Sequence, residues 1–290
     1  MPLLNYNSPR ELAAFLESRG LGMRKKYGQN FLIDSRIRNM LVEALAPGAG
    51  EAVWEIGPGL GAMTNSLLER GARVTAFEID PGFSAALEEF FGANPGFTLV
   101  RGDVLKTWPL AAPSPLLLGN LPYNIGAVLL ASFIEERRFF RRMVVTVQRE
   151  TARRMLAGPG SGEYSSFSVL CRSIYRVRSL AVIKGAAFFP VPRVDSQGLC
   201  LDLVNEDPHY PQCLYPLVRH LFSSRRKTVR NNLTTFVKSC IIRDAEAGRE
   251  AGSLAEKTLE TCGIKSDARA EQLGLEEFVK LAGFLEECNG

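Results

Sequence analysis

Histidine is nearly missing from this 290-residue chain. His209 and His220 are the only two, both late, so a histidine-based catalytic triad has little to draw on. Six cysteines (Cys171, Cys200, Cys213, Cys240, Cys262 and Cys288) are scattered without a C-x-x-C pair, and neither histidine clusters with them. That spacing speaks against a zinc site and against a disulfide framework; no metal is expected, and buried free thiols are. No apolar run approaches the roughly 20 residues needed to cross a bilayer, and no apolar segment with a small-residue cleavage site opens the chain. The expectation is a protein of the cytoplasm that does not touch membrane. Internal repeats and low-complexity tracts are missing as well.

The chain does have enough apolar mass for a large core: 46% of residues are hydrophobic and 23% charged. Its length suits two domains. The net charge of +4 is mild but unevenly spread, since residues 135–230 hold 17 Lys/Arg against 8 Asp/Glu and the remainder is net acidic. Charge segregated in this way suggests a surface that faces a polyanion.

Ser8-Pro9-Arg10-Glu11 reads as a helix start, with Ser as N-cap, Pro at N1 and Glu at N3, and Gly20 as its end. Asp34 should cap a second helix with Ile37, Leu41 and Leu45 on one face. From Ala52 short apolar strands alternate with helical segments, at 53–56, 74–77, 97–100, 116–118 and 143–147. This alternation predicts a doubly wound, largely parallel α/β sheet. Two later strands, near 178–183 and 199–204, are joined by a Pro-rich loop and should pair antiparallel at the sheet's edge. After Asn205-Glu206-Asp207-Pro208 the strand signal ends and helical patterns such as 214–222 and 227–236 take over, which places a domain boundary there.

Glu55-Ile56-Gly57-Pro58-Gly59-Leu60-Gly61 follows the first of the parallel strands and opens a helix, the position where backbone must approach a ligand closely. By itself the loop fits a dinucleotide fingerprint equally well, through Gly57, Gly59 and Ala62. Two carboxylates narrow it. Glu78 ends the next strand, suited to a pair of ribose hydroxyls, and Asp103 follows the third, suited to an adenine amino group. One such position after each of three strands matches an adenosine-bearing ligand, and the two acids disfavour phosphates beside them.

The fourth strand runs into Gly119-Asn120-Leu121-Pro122-Tyr123-Asn124. An adenine amino group is a poor nucleophile because its lone pair is delocalised into the ring. Two acceptors on its N–H bonds, the Asn120 side-chain oxygen and the Leu121 carbonyl, would draw the nitrogen toward a pyramidal shape. Pro122 stiffens the loop and withholds a donor, and Tyr123 can stack on the base. If the adenosine-bearing ligand carries a methyl group on a sulfonium, alignment of amine, methyl and sulfur would supply much of the acceleration, on the order of 7–11 kcal/mol, with no strong base required.

With these motifs in hand the sequence resembles the ribosomal RNA adenine dimethyltransferases, specifically the KsgA-type enzymes of the small subunit. The likeness runs from about Lys25 to Arg230. It takes in Tyr27-Gly28-Gln29-Asn30-Phe31-Leu32, the loops 55–61 and 119–124, and Ala157-Gly158-Pro159-Gly160-Ser161. It continues through Phe188-Phe189-Pro190-Val191-Pro192-Arg193-Val194-Asp195-Ser196 and Arg225-Arg226-Lys227-Thr228. Met63 in place of leucine and Tyr27 in place of phenylalanine are mild departures; residues 1–20 and the acidic tail lie outside it.

The resemblance implies a Rossmann-like class I methyltransferase domain dependent on S-adenosylmethionine, residues 1–205 with a helical extension over 1–50, and a smaller all-helical RNA-binding domain, 206–290. It implies that Asn30 and Leu32 join Gly57, Gly59, Gly61, Glu78, Asp103 and Asn120 around the cofactor, and that Phe188 faces Tyr123 across a flipped adenine. It also implies that Arg225, Arg226 and Lys227, on a helix, contact phosphates. The reaction implied is dimethylation of two adjacent adenosines near the 3′ end of small-subunit (16S) rRNA within a pre-ribosomal particle, by a monomer. Three alternatives stand beside it. One is a large-subunit adenine methyltransferase of the macrolide-resistance type, and another is an assembly factor whose binding outweighs its chemistry. The third, a nicotinamide dehydrogenase, would have no use for the loop 120–123.

Overall fold

A computed structural model describes residues 4–22, 29–123, 125–204, 208–240 and 247–288. α1 (Pro9–Ser18) begins where Ser8 accepts from the Glu11 N–H at 3.2 Å, and its chain turns away at Gly20. A two-residue strand, β1 (Phe31–Leu32), precedes α2 (Ser35–Leu45), which Asp34 caps through the Arg36 and Ile37 N–H groups. Leu41 and Leu45 are fully buried on α2, with Ile37 packed alongside, as the spacing predicts.

The parallel core is β2 (Ala52–Ile56), β3 (Arg73–Glu78), β4 (Phe97–Arg101), β5 (Leu116–Asn120) and β6 (Arg142–Gln148). α3 (Ala62–Glu69), α4 (Pro81–Phe91), the single turn α5 (Val104–Thr107) and α6 (Gly126–Glu135) lie between successive strands. Strand order is β4-β3-β2-β5-β6, all parallel. Most side chains of β2, β5 and β6 are buried on both faces because both are covered. Val53, Val74, Leu116, Leu118 and Val144 meet α2 and α3 residues on one side. Trp54 meets Phe77 and Phe140 edge-on, with ring centroids 5.0 and 5.4 Å apart, and Phe133 at a tilt, 6.3 Å away.

α7 (Arg149–Leu156) and α8 (Ser166–Ile174) follow, then β7 (Tyr175–Ile183), the short β8 (Phe188–Phe189) and β9 (Ser196–Leu203). β7 and β9, expected to pair at the edge, are neighbours there, and β9 also runs antiparallel to β6 from Arg142↔Asp202 to Gln148↔Ser196. β8 pairs antiparallel with β1, Phe31↔Phe189 and Leu32↔Phe188. Two-residue strands have no periodicity to read, so that ladder was invisible in the sequence.

α9 (Leu214–Ser223), α10 (Val229–Cys240), α11 (Ala247–Cys262) and α12 (Leu275–Glu287) complete the chain. Two compact units emerge: residues 1–152 with 176–203, and residues 153–175 with 204–290. The linear division at 205/206 therefore needs correction, because 153–175 belongs with the helical unit. Ala157, Tyr164 and Val169 sit in the same core as Leu217, Leu233, Phe236 and Phe278. Polar ties agree: Gly160 N–H donates to the Glu271 carbonyl at 2.8 Å, and the Tyr210 hydroxyl to the Ser173 carbonyl at 2.9 Å. Residues Asn205, Glu206 and Asp207 lie outside the described set.

Candidate active site

From β2 the chain winds outward to β3 and β4, then returns to lay β5 and β6 on the other side of β2. Between β2 and β5 the winding reverses, and the crevice at their carboxyl ends is where open α/β sheets bind ligands. A cleft of about 960 Å³, counted out to open solvent, lies there. Its walls include Asn30, Leu32, Gly57, Gly59, Glu78, Asp103, Asn120 and Pro122, so the structure brings eight of the expected site residues together.

Gly57, Gly59 and Gly61 take left-handed φ values of +66°, +61° and +88°, which carries the chain tightly from β2 into α3. Gly61 lies behind the cleft rather than on its wall, and a Cβ there would run into the Phe91 ring. Glu78, at the end of β3, is only 5% exposed. Its Oε1 accepts from Asp80 N–H at 2.8 Å and its Oε2 from Gly59 N–H at 3.3 Å. Burial pushes this carboxyl up to about 7, although those two N–H groups favour its ionised form. Glu55, beneath the glycine loop and fully buried, is also pushed up to about 7 by burial. Its Oε2 accepts from the Thr64 hydroxyl at 2.6 Å, and its Oε1 has no partner among the described residues. Asp103 caps α5 through Leu105 N–H at 3.0 Å while lining the cleft.

Asn120 ends β5 with its amide held on two sides. Nδ2 donates to the Asn30 carbonyl at 2.8 Å, and Oδ1 accepts from the Thr146 hydroxyl on β6. Leu121 is buried, its N–H given to the Thr146 carbonyl at 3.1 Å. Tyr123 is half-buried beside the cleft; its hydroxyl pairs with the Ser196 hydroxyl at 2.8 Å, and burial raises it above the ordinary tyrosine value. Asn124 is outside the described residues, as are Tyr27 and Gly28.

Phe188 requires a correction. It is 1% exposed, packed with Leu32 and Leu41 and register-paired with Leu32, and does not line the cleft. The basic triplet is corrected too. Arg225, Arg226 and Lys227 form the turn between α9 and α10, not a helix, because Thr228 starts α10 by accepting from Asn231 N–H at 3.3 Å. Arg225 is tied to Glu271 at 2.9 Å and to the Gly162 carbonyl at 3.0 Å. Arg226 and Lys227 are exposed, and no ion pair is recorded for either among the described residues.

Three residues of the site escaped sequence reasoning. Tyr6 lines the cleft and donates to the Leu60 carbonyl at 3.0 Å, but nothing near it in sequence carried a pattern. Arg38 donates to the Leu32 carbonyl at 2.7 Å and to Asn7 Oδ1 at 2.6 Å. It shares the buried i, i+3, i+4, i+7 stripe with Leu41, Val42 and Leu45, a signal that could have found it. Thr146 sits in an apolar strand, where nothing local sets it apart.

Among the described residues no group of His, Cys, Asp and Glu is placed to hold a metal, and no helix is long and apolar enough to cross a membrane.

A glycine turn at the switch point, two strand-end carboxylates and an Asn-Leu-Pro-Tyr loop on β5 make the first unit a Rossmann-like class I methyltransferase domain. The family model described as ribosomal RNA adenine dimethylase matches residues 20–248, and this chain belongs to that family. Ribosomal RNA small subunit methyltransferase A of Treponema pallidum is 46% identical, covering 97% of each chain. The protein of that name from Treponema denticola is 41% identical over 97% of this chain and 96% of its own. Among solved structures, a dimethyladenosine transferase from Plasmodium falciparum matches with a TM-score of 0.73 at 23% identity, over 88% of this chain and 96% of the other. The 23S rRNA methyltransferase ErmE matches at 0.63 and 22%, over 88% and 99%. At those identities the two structures speak for the fold alone.

Proposed function

We propose that this chain dimethylates the exocyclic N6 amino groups of two adjacent adenosines near the 3′ end of small-subunit (16S) ribosomal RNA, with S-adenosylmethionine as methyl donor. The observation that carries this reading is Asn120, fixed at the end of β5 on the wall of a cleft lined by Glu78 and Asp103. The names of the relatives above supply the small subunit as the target.

The cleft fits an adenosine-bearing donor on its own chemistry. Glu78 keeps acceptor capacity beyond its two backbone bonds for ribose hydroxyls, and Asp103 presents a carboxylate for an adenine amino group. Asn30, Leu32, Gly57 and Gly59 complete the cofactor wall, with Gly61 shaping the turn behind it. The donor, when bound, supplies a methyl group on a positively charged sulfur. Asn120 Oδ1 and the Leu121 carbonyl accept the two N–H bonds of the target amine and hold its lone pair on line. Pro122 adds no competing donor, and Tyr123 stacks on the base, steadied by Ser196. The proton released from nitrogen leaves to water.

Arg226 and Lys227 hold RNA phosphates from the helical unit, with Arg225 shaping the turn. We place the protein in the cytoplasm, as a monomer acting on a pre-ribosomal particle. The direct test uses methyl-labelled S-adenosylmethionine with unmethylated small- and large-subunit particles in parallel. Label is expected in the small-subunit RNA. Label confined to the large subunit would favour the macrolide-resistance type instead.

A further inference from the structure

We propose that Thr146 is a positioning residue for methyl transfer, locking the Asn120 amide in one orientation; this rests on Asn120 being an acceptor for the adenine amine. Asn120 and Thr146 are register partners across β5 and β6. The Asn30 carbonyl can only accept, so the amide atom 2.8 Å from it is Nδ2. Oδ1 then faces the Thr146 hydroxyl, which donates to it. Thr146 is 1% exposed, and a hydroxyl buried that deeply is costly without a partner. Asn120 Oδ1 is the partner the structure gives it.

The same residue orders the second acceptor. Its backbone carbonyl takes the Leu121 N–H at 3.1 Å, so the peptide leading to the Leu121 carbonyl is anchored to β6 as well. An amide free to turn would present NH2 to the substrate's N–H bonds in part of its population, donor against donor. With the lock in place Oδ1 keeps one lone pair for the amine, always in the same place. Packing does not itself call for a threonine. Val144, Val145 and Val147 fill the neighbouring positions of β6, and valine has the same branched shape. A Thr146→Val change removes the hydroxyl and leaves the backbone bond to Leu121 intact.

The experiment compares Thr146→Val, Thr146→Ser, Asn120→Ala and the Asn120→Ala/Thr146→Val double variant. Methyl transfer to small-subunit particles is followed in single turnovers at saturating cofactor, beside thermal melts and the hydrogen exchange of the Asn120 side-chain NH2 in the free protein. Thr146→Val should slow transfer by about 10- to 100-fold, the range that small misalignment produces. It should leave the melting temperature unlowered and speed NH2 exchange, and Thr146→Ser should restore rate and protection. In the Asn120→Ala background the valine change should add nothing, since the effect runs through Asn120.

Thr146→Val at the wild-type rate beside an Asn120→Ala slowed to a small residual rate overturns this inference alone. An equal loss in both backgrounds, or a loss with a lowered melting temperature that serine does not repair, also overturns it. Full activity in Asn120→Ala overturns the reading of Asn120 itself, and this inference with it.

Discussion

At the cleft in the first unit, four of the polar side chains that line the wall are tied from behind. Glu78 is held by two backbone N–H groups, Asn120 by Asn30 and Thr146, Asp103 by the cap it makes, and Arg38 by Leu32 and Asn7. In the turn between α9 and α10, Arg225 is tied to Glu271 and Gly162, while no ion pair holds exposed Arg226 or Lys227 among the described residues. Methyl transfer depends on where a lone pair points, so its groups must be immobile before substrate arrives. Phosphate contacts depend on charge and tolerate motion, and long solvated side chains serve them well. Rigidity in one region and exposed charge in the other are what the proposed pair of tasks requires.

That contrast breaks most visibly at Glu78. Replacing it by alanine should weaken S-adenosylmethionine binding by about 10- to 100-fold, the order expected for hydrogen bonds to a charged group of about 1.5–3 kcal/mol, with RNA affinity unchanged. Calorimetry with the cofactor checks it, and an unaltered affinity would remove Glu78 from the site. Its pH dependence sharpens the point. With a carboxyl pushed up to about 7, cofactor affinity should fall as pH drops through that value, and Glu78→Gln should flatten the slope. The linked effect on stability has the opposite sign. A carboxyl raised on folding contributes stability that is full below its unfolded value of 4.5 and lost as pH rises through about 7. Glu55 is raised in the same way, so Glu55→Gln should flatten the decline in melting temperature between those two values.

Tyr123→Ala should come next. Loss of one stacking contact, about 1–3 kcal/mol, should lower turnover while filter-binding affinity for RNA stays nearly constant. An equal loss of both would make Tyr123 part of the grip instead. On the other side of the comparison, reversing charge at Arg226 and Lys227 should weaken RNA binding and reduce the steepness of its salt dependence by about one unit per phosphate contact removed. Cofactor affinity should not move. The smallest effect belongs to Arg225→Ala: its pair with Glu271 is half-exposed, and such pairs contribute about 0–1 kcal/mol, read as a slight drop in thermal stability.

Much of the first unit was legible because parallel strands buried on both faces write continuous apolar runs, and because Ser8, Asp34 and the glycine loop mark where elements begin. The cleft's backbone positions and both carboxylates came from their place at strand ends. What stayed hidden has no local signal. Thr146 and Ser196 act across strands whose register no single sequence states, and Tyr6 reaches Leu60 from 54 positions away. Phe188 shows the reverse failure, since a motif brought it to the site while its pairing with Leu32 committed the ring to the core. The helical unit claimed residues 153–175 through packing of Tyr164 and Val169, which helical periodicity after 208 could not reveal.

Nucleoside mass spectrometry of small-subunit RNA, after reaction of unmethylated particles with wild-type protein and with Asn120→Ala, tests the central claim most directly. The wild-type protein should yield two dimethyladenosines per RNA, and the variant should yield almost none in the same time while binding the particle as tightly. Wild-type protein that leaves no methylated adenosine on that RNA, or a variant that methylates it in full, would contradict the account.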